Sequence, residues 1–231
     1  MAKKTCLQLL NRVLEKIGEP EVTVLTSLSG RNLMSWNALN EALYEIYTNN
    51  SGKWQFAESS GTITLLTSTT AYAVATDMME EDIFSFRLSA NSTNIAYVDP
   101  QEFDIDNPSI SNTGYPTQVT KYNNQFVIDT IPGSANASKT IQYRYWKIPT
   151  VFSTATSTTT CDIPEIFEEA VVVNLAVYKV LAYEGDSEAQ RYYIELYGGI
   201  AGGDKKEGSF NRMKRIYGSS KLDKIRVTYN F

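Results

Sequence analysis

Histidine is absent from this chain of 231 residues. Its absence excludes Ser-His-Asp and Cys-His nucleophile pairs, histidine general bases and histidine-containing metal sites. The two cysteines, Cys6 and Cys161, are too far apart in sequence for a CxxC metal site, and one possible disulfide is no framework for a chain this size. A reducing compartment fits that usage. Long apolar runs are missing too: the most apolar stretch, from Ala170 to Tyr183, falls short of the ~20 residues of a membrane span and contains Asn174 and Lys179. Near the N-terminus Lys3 and Lys4 are followed by Gln8, Asn11 and Arg12, which interrupt any secretory h-region. These absences predict a cytoplasmically made protein with no cofactor, no metal and no membrane partner, and give no foothold for enzymatic chemistry.

What is present is an ordinary soluble composition, 42% hydrophobic and 20% charged, long enough to bury roughly 70–75% of its unfolded surface. Leu7, Leu10, Leu14 and Ile17 recur at helical spacing, with Thr5 as the predicted cap and Gly18 and Pro20 as the stop. Cys6 borders that stripe and reads as a buried structural thiol. From about Arg31 to Asn50 the spacing returns through Leu33, Trp36, Leu39, Leu43, Ile46 and Tyr47, so two helices should pair.

Near Ser51-Gly52 the pattern changes to β-favouring and turn residues. The predicted strands are Thr62–Leu66, Ala71–Thr76, Asp82–Leu88, Asn94–Val98, Thr117–Tyr122, Gln125–Thr130 and Lys139–Trp146, with a hairpin turn at Asn123-Asn124. Such close spacing predicts an antiparallel sandwich or barrel. Helical periodicity returns after Asp162, a predicted cap, with Pro164 in the first turn of a helix ending at Gly185. Glu165, Glu168 and Glu169 crowd that turn, where carboxylates complement the helix dipole. A further helix follows through Tyr192, Tyr193, Leu196 and Tyr197.

The predicted fold class is therefore α+β. An antiparallel helical bundle (1–52 with 161–199) carries an inserted antiparallel β-sandwich or barrel (53–160) and an extended C-terminal arm (200–231). Gly198, Gly199, Gly202 and Gly203 form the joint to the arm. Residues 204–231 hold eight Lys/Arg and three Asp/Glu, a formal +5, so that residues 1–203 carry -10 of the total -5. This asymmetry marks an interaction tail. Within it Ile225, Val227, Tyr229 and Phe231 alternate with Arg226, Thr228 and Asn230, the pattern of a strand with one apolar face, suited to pairing with its own β domain or with a sheet on another chain. Removing 204–231 is expected to leave the fold intact.

Three motifs fail on their chemistry. Gly198 to Lys205 imitates a phosphate loop, but Asp204 stands where a lysine is needed and no helix N-terminus follows a strand. Asp104 and Asp106 begin like a calcium loop that lacks its glycine and closing glutamate. Tyr143, Arg144, Tyr145 and Trp146 combine aromatics with a base, as single-strand nucleic-acid platforms do, yet sheets favour aromatics anyway and the body is acidic.

Val13-Leu14-Glu15-Lys16-Ile17-Gly18-Glu19-Pro20-Glu21-Val22, followed by Leu25, then Trp54, Phe56, Gly61 and Thr62–Leu66, and more loosely Tyr72 to Asp77 and Ile163-Pro164, resembles the tail tubular protein A family. These are head-to-tail adaptors of short-tailed bacteriophages. Glu21 departs from a second proline common there, and the β insertion is larger than in compact members. Gly18, Glu19, Pro20, Trp54 and Phe56 then read as structural, with Trp54 and Phe56 anchoring the sheet to the bundle.

The resemblance implies a virion protein of the phage neck: a homo-oligomeric ring, usually of twelve subunits, docked on the portal protein. It would extend the channel for double-stranded DNA without sequence-specific binding and offer a platform to a tail nozzle or tube protein. On this view the arm binds portal, with Arg212, Lys214, Arg215 and Arg226 steering to acidic surface and Ile225, Val227, Tyr229 and Phe231 adding a strand. The alternatives are a tail or baseplate component whose β domain binds a receptor glycan through aromatic faces, and a hydrolase using paired carboxylates among Glu165, Glu168 and Glu169.

Overall fold

The computed structural model describes residues 2–49, 53–90, 92–201 and 204–218. In chain order the elements are α1 (Cys6–Lys16), α2 (Gly30–Thr48), a 3₁₀ turn at Gln55–Ala57, β1 (Glu58–Thr64), β2 (Ala71–Ala73), β3 (Met78–Glu81), β4 (Arg87–Leu88), β5 (Thr93–Asn94), β6 (Ala96–Tyr97), α3 (Pro100–Asp106), β7 (Gln118–Tyr122), β8 (Gln125–Ile128) and β9 (Thr140–Lys147). Then come α4 (Glu165–Phe167), a π-helical segment (Glu168–Val173), α5 (Asn174–Glu184), α6 (Ala189–Tyr197), the short strands β10 (Gly199–Ala201) and β11 (Asp204–Lys206), and α7 (Ser209–Tyr217). The fold class is α+β.

The chain divides into two compact units, Met1–Ala57 with Ile148–Phe231, and Glu58–Lys147. The inserted unit is shorter than the expected 53–160 because both flanks are held by helices. Trp54 is fully buried and donates from Nε1 to the Ile46 carbonyl at 2.7 Å. On the other side Phe152 exchanges hydrogen bonds with Asn40 and packs on Trp36, while Thr160 bridges Thr5.

In the helical unit α5 packs against α2, α6 and α1. Leu175, Ala176, Val177, Val180 and Leu181 are buried, so the helix is apolar on nearly every side, as a central helix must be. Its one buried polar side chain, Asn174, accepts from Lys16 at 2.8 Å and donates to Glu195 at 3.3 Å, which offsets the cost of its burial. α1 begins with a reciprocal capping box between Thr5 and Gln8. It buries Cys6, Leu9, Leu10, Val13 and Leu14, a stripe rotated from the expected one so that Leu7 sits at its edge. Asp162 does not cap: α4 begins at Glu165 behind Pro164, and Asp162 accepts instead from the Tyr47 hydroxyl at 3.3 Å.

The inserted unit is two sheets over one core. One has β9 between β1 on one side and β3 and β4 on the other, with β5 beyond β4. The second runs β2-β8-β7-β6. Ile63, Leu88, Ile141 and Tyr143 from the first sheet meet Tyr72, Val119, Phe126 and Ile128 from the second, giving a sandwich. All these pairs are antiparallel except β6 with β7, which is parallel. The β7-β8 hairpin turns at Asn123 and Asn124, both at positive φ (48° and 59°), as a type I′ turn requires. The outer face of the first sheet is polar, and Gly61 lies where a Cβ would collide with the Tyr143 ring.

Candidate functional site

The basic surface foreseen in the tail is built on a helix. From 209 to 217 the chain is α7, not an extended arm, and Gly199–Ala201 pairs antiparallel with Asp204–Lys206 as β10 and β11. The reason is packing: Phe210 and Met213, three residues apart, are both buried. Phe210 meets the Trp54 ring edge-on at 6.2 Å and lies 5.5 Å from Tyr197, and Tyr217 packs on Phe56 and Phe167. Gly208 enters this helix so close to the Leu196 carbonyl and the Gly198 nitrogen that any side chain would collide. Ser209 Oγ donates to the Ala170 carbonyl at 2.6 Å, Asn211 donates to the Tyr197 carbonyl at 2.7 Å, and Gly218 bridges Trp54.

That docking turns Arg212, Lys214 and Arg215 outward, all exposed. Arg215 forks the Glu207 carboxylate, Nε to Oε1 at 3.0 Å and Nη2 to Oε2 at 2.9 Å, and this pairing holds the Glu207 carboxyl below its ordinary range. Arg212 and Lys214 make no ion pair among the described residues and keep their charge available to a partner. Ile225, Arg226, Val227, Tyr229 and Phe231 lie outside the described residues.

The structural motif is tied together by a residue that sequence reasoning passed over. Gly18, at φ 76°, ends α1. Glu19 then accepts from Arg31 Nη1 at 3.1 Å, and Arg31 also donates to the Ile17 carbonyl and forks Glu184. One guanidinium thus joins the ends of α1 and α5 to the start of α2. The only available signal was an arginine in the first turn of α2, where the helix dipole disfavours a cation. Pro20 is exposed and stops continuation. Trp54 is buried and stacks on the half-buried Phe56 at 5.3 Å inside the helical unit, and Phe56 stands two residues before β1.

Tyr143, Tyr145 and Trp146 are buried and offer no stacking face to a base, whereas Tyr115 and Tyr122 of the same unit are exposed. Glu168 is fully buried, accepting the Lys4 backbone N–H at 3.0 Å, while Glu169 faces Lys4 and Lys16. Burial pushes the Glu168 carboxyl up and the Cys161 thiol up to about 12. Asp104 and Asp106 lie in α3, and among the described residues no cluster of three or more metal-ligating side chains forms. Among them, too, no helix is long and apolar enough to cross a membrane.

The family described as SU10 adaptor protein matches residues 4–215. The chain belongs to the SU10 adaptor protein family. It is a phage adaptor protein, and the adaptor match spans both compact units and runs into α7. No curated protein matches the chain.

Proposed function

We propose that this adaptor is the head-to-tail connector of a short-tailed phage, akin to the tail tubular protein A family. It forms a closed ring, of twelve subunits by that kinship, docked on the portal protein in the virion neck. The ring extends the DNA channel and seats a tail nozzle or tube protein; it performs no catalysis and takes no cofactor. The observation that carries this reading is the adaptor match over residues 4–215, joined to the Ile-Gly-Glu-Pro turn and the Trp-x-Phe element of the sequence.

The charge distribution supports it. A body at -10 repels a passing duplex, while the exposed Arg212 and Lys214 steer toward acidic portal surface. Residues 219–231 carry the alternating Ile225, Val227, Tyr229 and Phe231, which add a strand to a portal sheet edge. Pull-down on portal particles tests this. A chain ending at Gly218 keeps α7 and is expected to lose most portal binding, and Arg212→Glu with Lys214→Glu to weaken it in a salt-sensitive way. Full binding by both variants removes the docking assignment.

A further inference from the structure

The turn between β3 and β4 displays two apolar side chains to water: Phe84 is 75% exposed and Ile83 42%. The turn is braced from several directions. Asp82 Oδ1 accepts the Phe84 N–H at 3.2 Å, and the Asp82 carbonyl accepts both the Ser85 N–H at 3.0 Å and the Ser85 hydroxyl at 2.7 Å. Ser85 Oγ in turn accepts the Arg144 N–H at 2.7 Å, and Arg144 pairs with Asp82 at 3.1 Å. Phe86, two residues on, is buried and stacked on Tyr143 at 5.5 Å. Single exposed apolar residues need no explanation. An adjacent pair held out on a cross-braced turn is a preorganised anchor, because the ordering cost of association has already been met.

The helical unit holds a matching concavity. A groove of about 530 Å³ runs between α2 and α5, lined by Leu33, Met34, Ala38, Tyr178, Ala182 and Tyr183. Leu33 is 42% exposed and Tyr183 83%. The groove lies within the ~300–1,000 Å³ of pockets that enclose small ligands, ample for an isoleucine and a phenylalanine side chain. Its walls are pinned by the Arg31–Glu184 fork and by Lys179 to Glu45 at 2.8 Å.

Charges at the two rims are complementary. Glu41 on the groove is mostly exposed, with Lys179 no closer than 4.0 Å. Beside the turn, Arg87 is exposed and makes no ion pair among the described residues, and the Arg144 guanidinium is largely open to solvent.

We propose that the Ile83-Phe84 turn of one copy seats in the α2–α5 groove of a second copy, with Arg87 facing Glu41. This rests on the ring reading above and names its lateral contact. Because the two patches differ, each copy gives one and receives one, which is the heterologous contact that generates rings; a two-fold dimer would use one patch twice.

Sedimentation velocity on the full chain tests it with Phe84→Glu, which destroys the knob, and Leu33→Glu, which blocks the groove. Both positions are exposed, and unchanged melting temperatures will show that the fold is kept. Wild type is expected to sediment as species larger than a dimer, and each variant alone as a monomer. An equimolar mixture retains one intact knob and one intact groove, so it is expected to give heterodimers and nothing larger. Glu41→Arg is expected to weaken assembly and Arg87→Glu to restore it. If both variants assemble as wild type does, or their mixture stays monomeric while wild type assembles, this contact is wrong and the ring stands. A wild-type chain that stays monomeric even on portal particles overturns the ring and this contact together.

Discussion

The Arg31 guanidinium grips the Glu184 carboxylate through two parallel hydrogen bonds, Nε to Oε1 at 2.8 Å and Nη2 to Oε2 at 2.6 Å. The same group reaches Glu19 and the Ile17 carbonyl, so the Gly-Glu-Pro turn is fastened to the first residues of one helix and the last of another. Both partners are about one-third exposed or less, which lowers the value of the fork below that of a dry pair.

Arg31→Lys keeps the charge but loses the planar fork. It is expected to cost about 1 kcal/mol, seen as a melting point lower by about 2–4 °C. Glu19→Ala should cost less, since it removes one of the four bonds. Calorimetry on the three proteins checks the order, and an Arg31→Lys protein as stable as wild type would show that the fork contributes nothing.

Two C-terminal truncations separate fold from interaction. Ending the chain at Gly218 leaves Phe210, Met213 and the Gly218–Trp54 bridge in place, so its melting point is expected to match the full chain within 1–2 °C (a change of under about 1 kcal/mol). Ending it at Gly203 removes two buried side chains, each worth about 2–5 kcal/mol, and uncovers Trp54. That is a large part of a total stability of about 5–15 kcal/mol. The shorter chain is expected to unfold at much lower temperature or to be insoluble.

Glu168 gives a pH test. Its carboxyl is raised chiefly by burial, opposed by the Lys4 backbone N–H and by the charges of Lys4 and Lys3, and reinforced by Glu165; one oxygen, Oε1, has no hydrogen-bond partner among the described residues. A carboxyl whose folded value lies above its unfolded one binds its proton more tightly when folded. Its contribution is therefore fully present below the unfolded pKa and is lost as pH rises through the folded one. Glu168→Gln removes that loss. Its stability relative to wild type is expected to rise between pH 4 and pH 7, with the slope of unfolding free energy against pH flattened in that window. A parallel pair of curves would contradict the assignment.

Regular patterns in the sequence carried the architecture: the stop at Gly18, the Asn123-Asn124 hairpin and the return of helical spacing after Pro164 are local effects of backbone conformation. Most departures from those patterns are tertiary. Asp162 has the chemistry of a cap, but the Tyr47 hydroxyl holds it. Residues 204–218 looked like a tail because charge dominates their composition, yet Phe210 and Met213, at helical spacing, were enough to fold nine of them onto the aromatic cluster. β3 at Met78–Glu81 escaped notice because two acidic residues mask its strand pattern. The Ile83-Phe84 turn was absorbed into an expected strand, and nothing local distinguishes an apolar residue facing a core from one facing water.

Electron microscopy of the protein mixed with purified portal particles tests the central claim most directly. The account predicts a second ring stacked on the portal axis, continuous with its channel, and absent when the chain ends at Gly218. Portal particles that remain bare at saturating protein, or single copies bound off the axis, would contradict it.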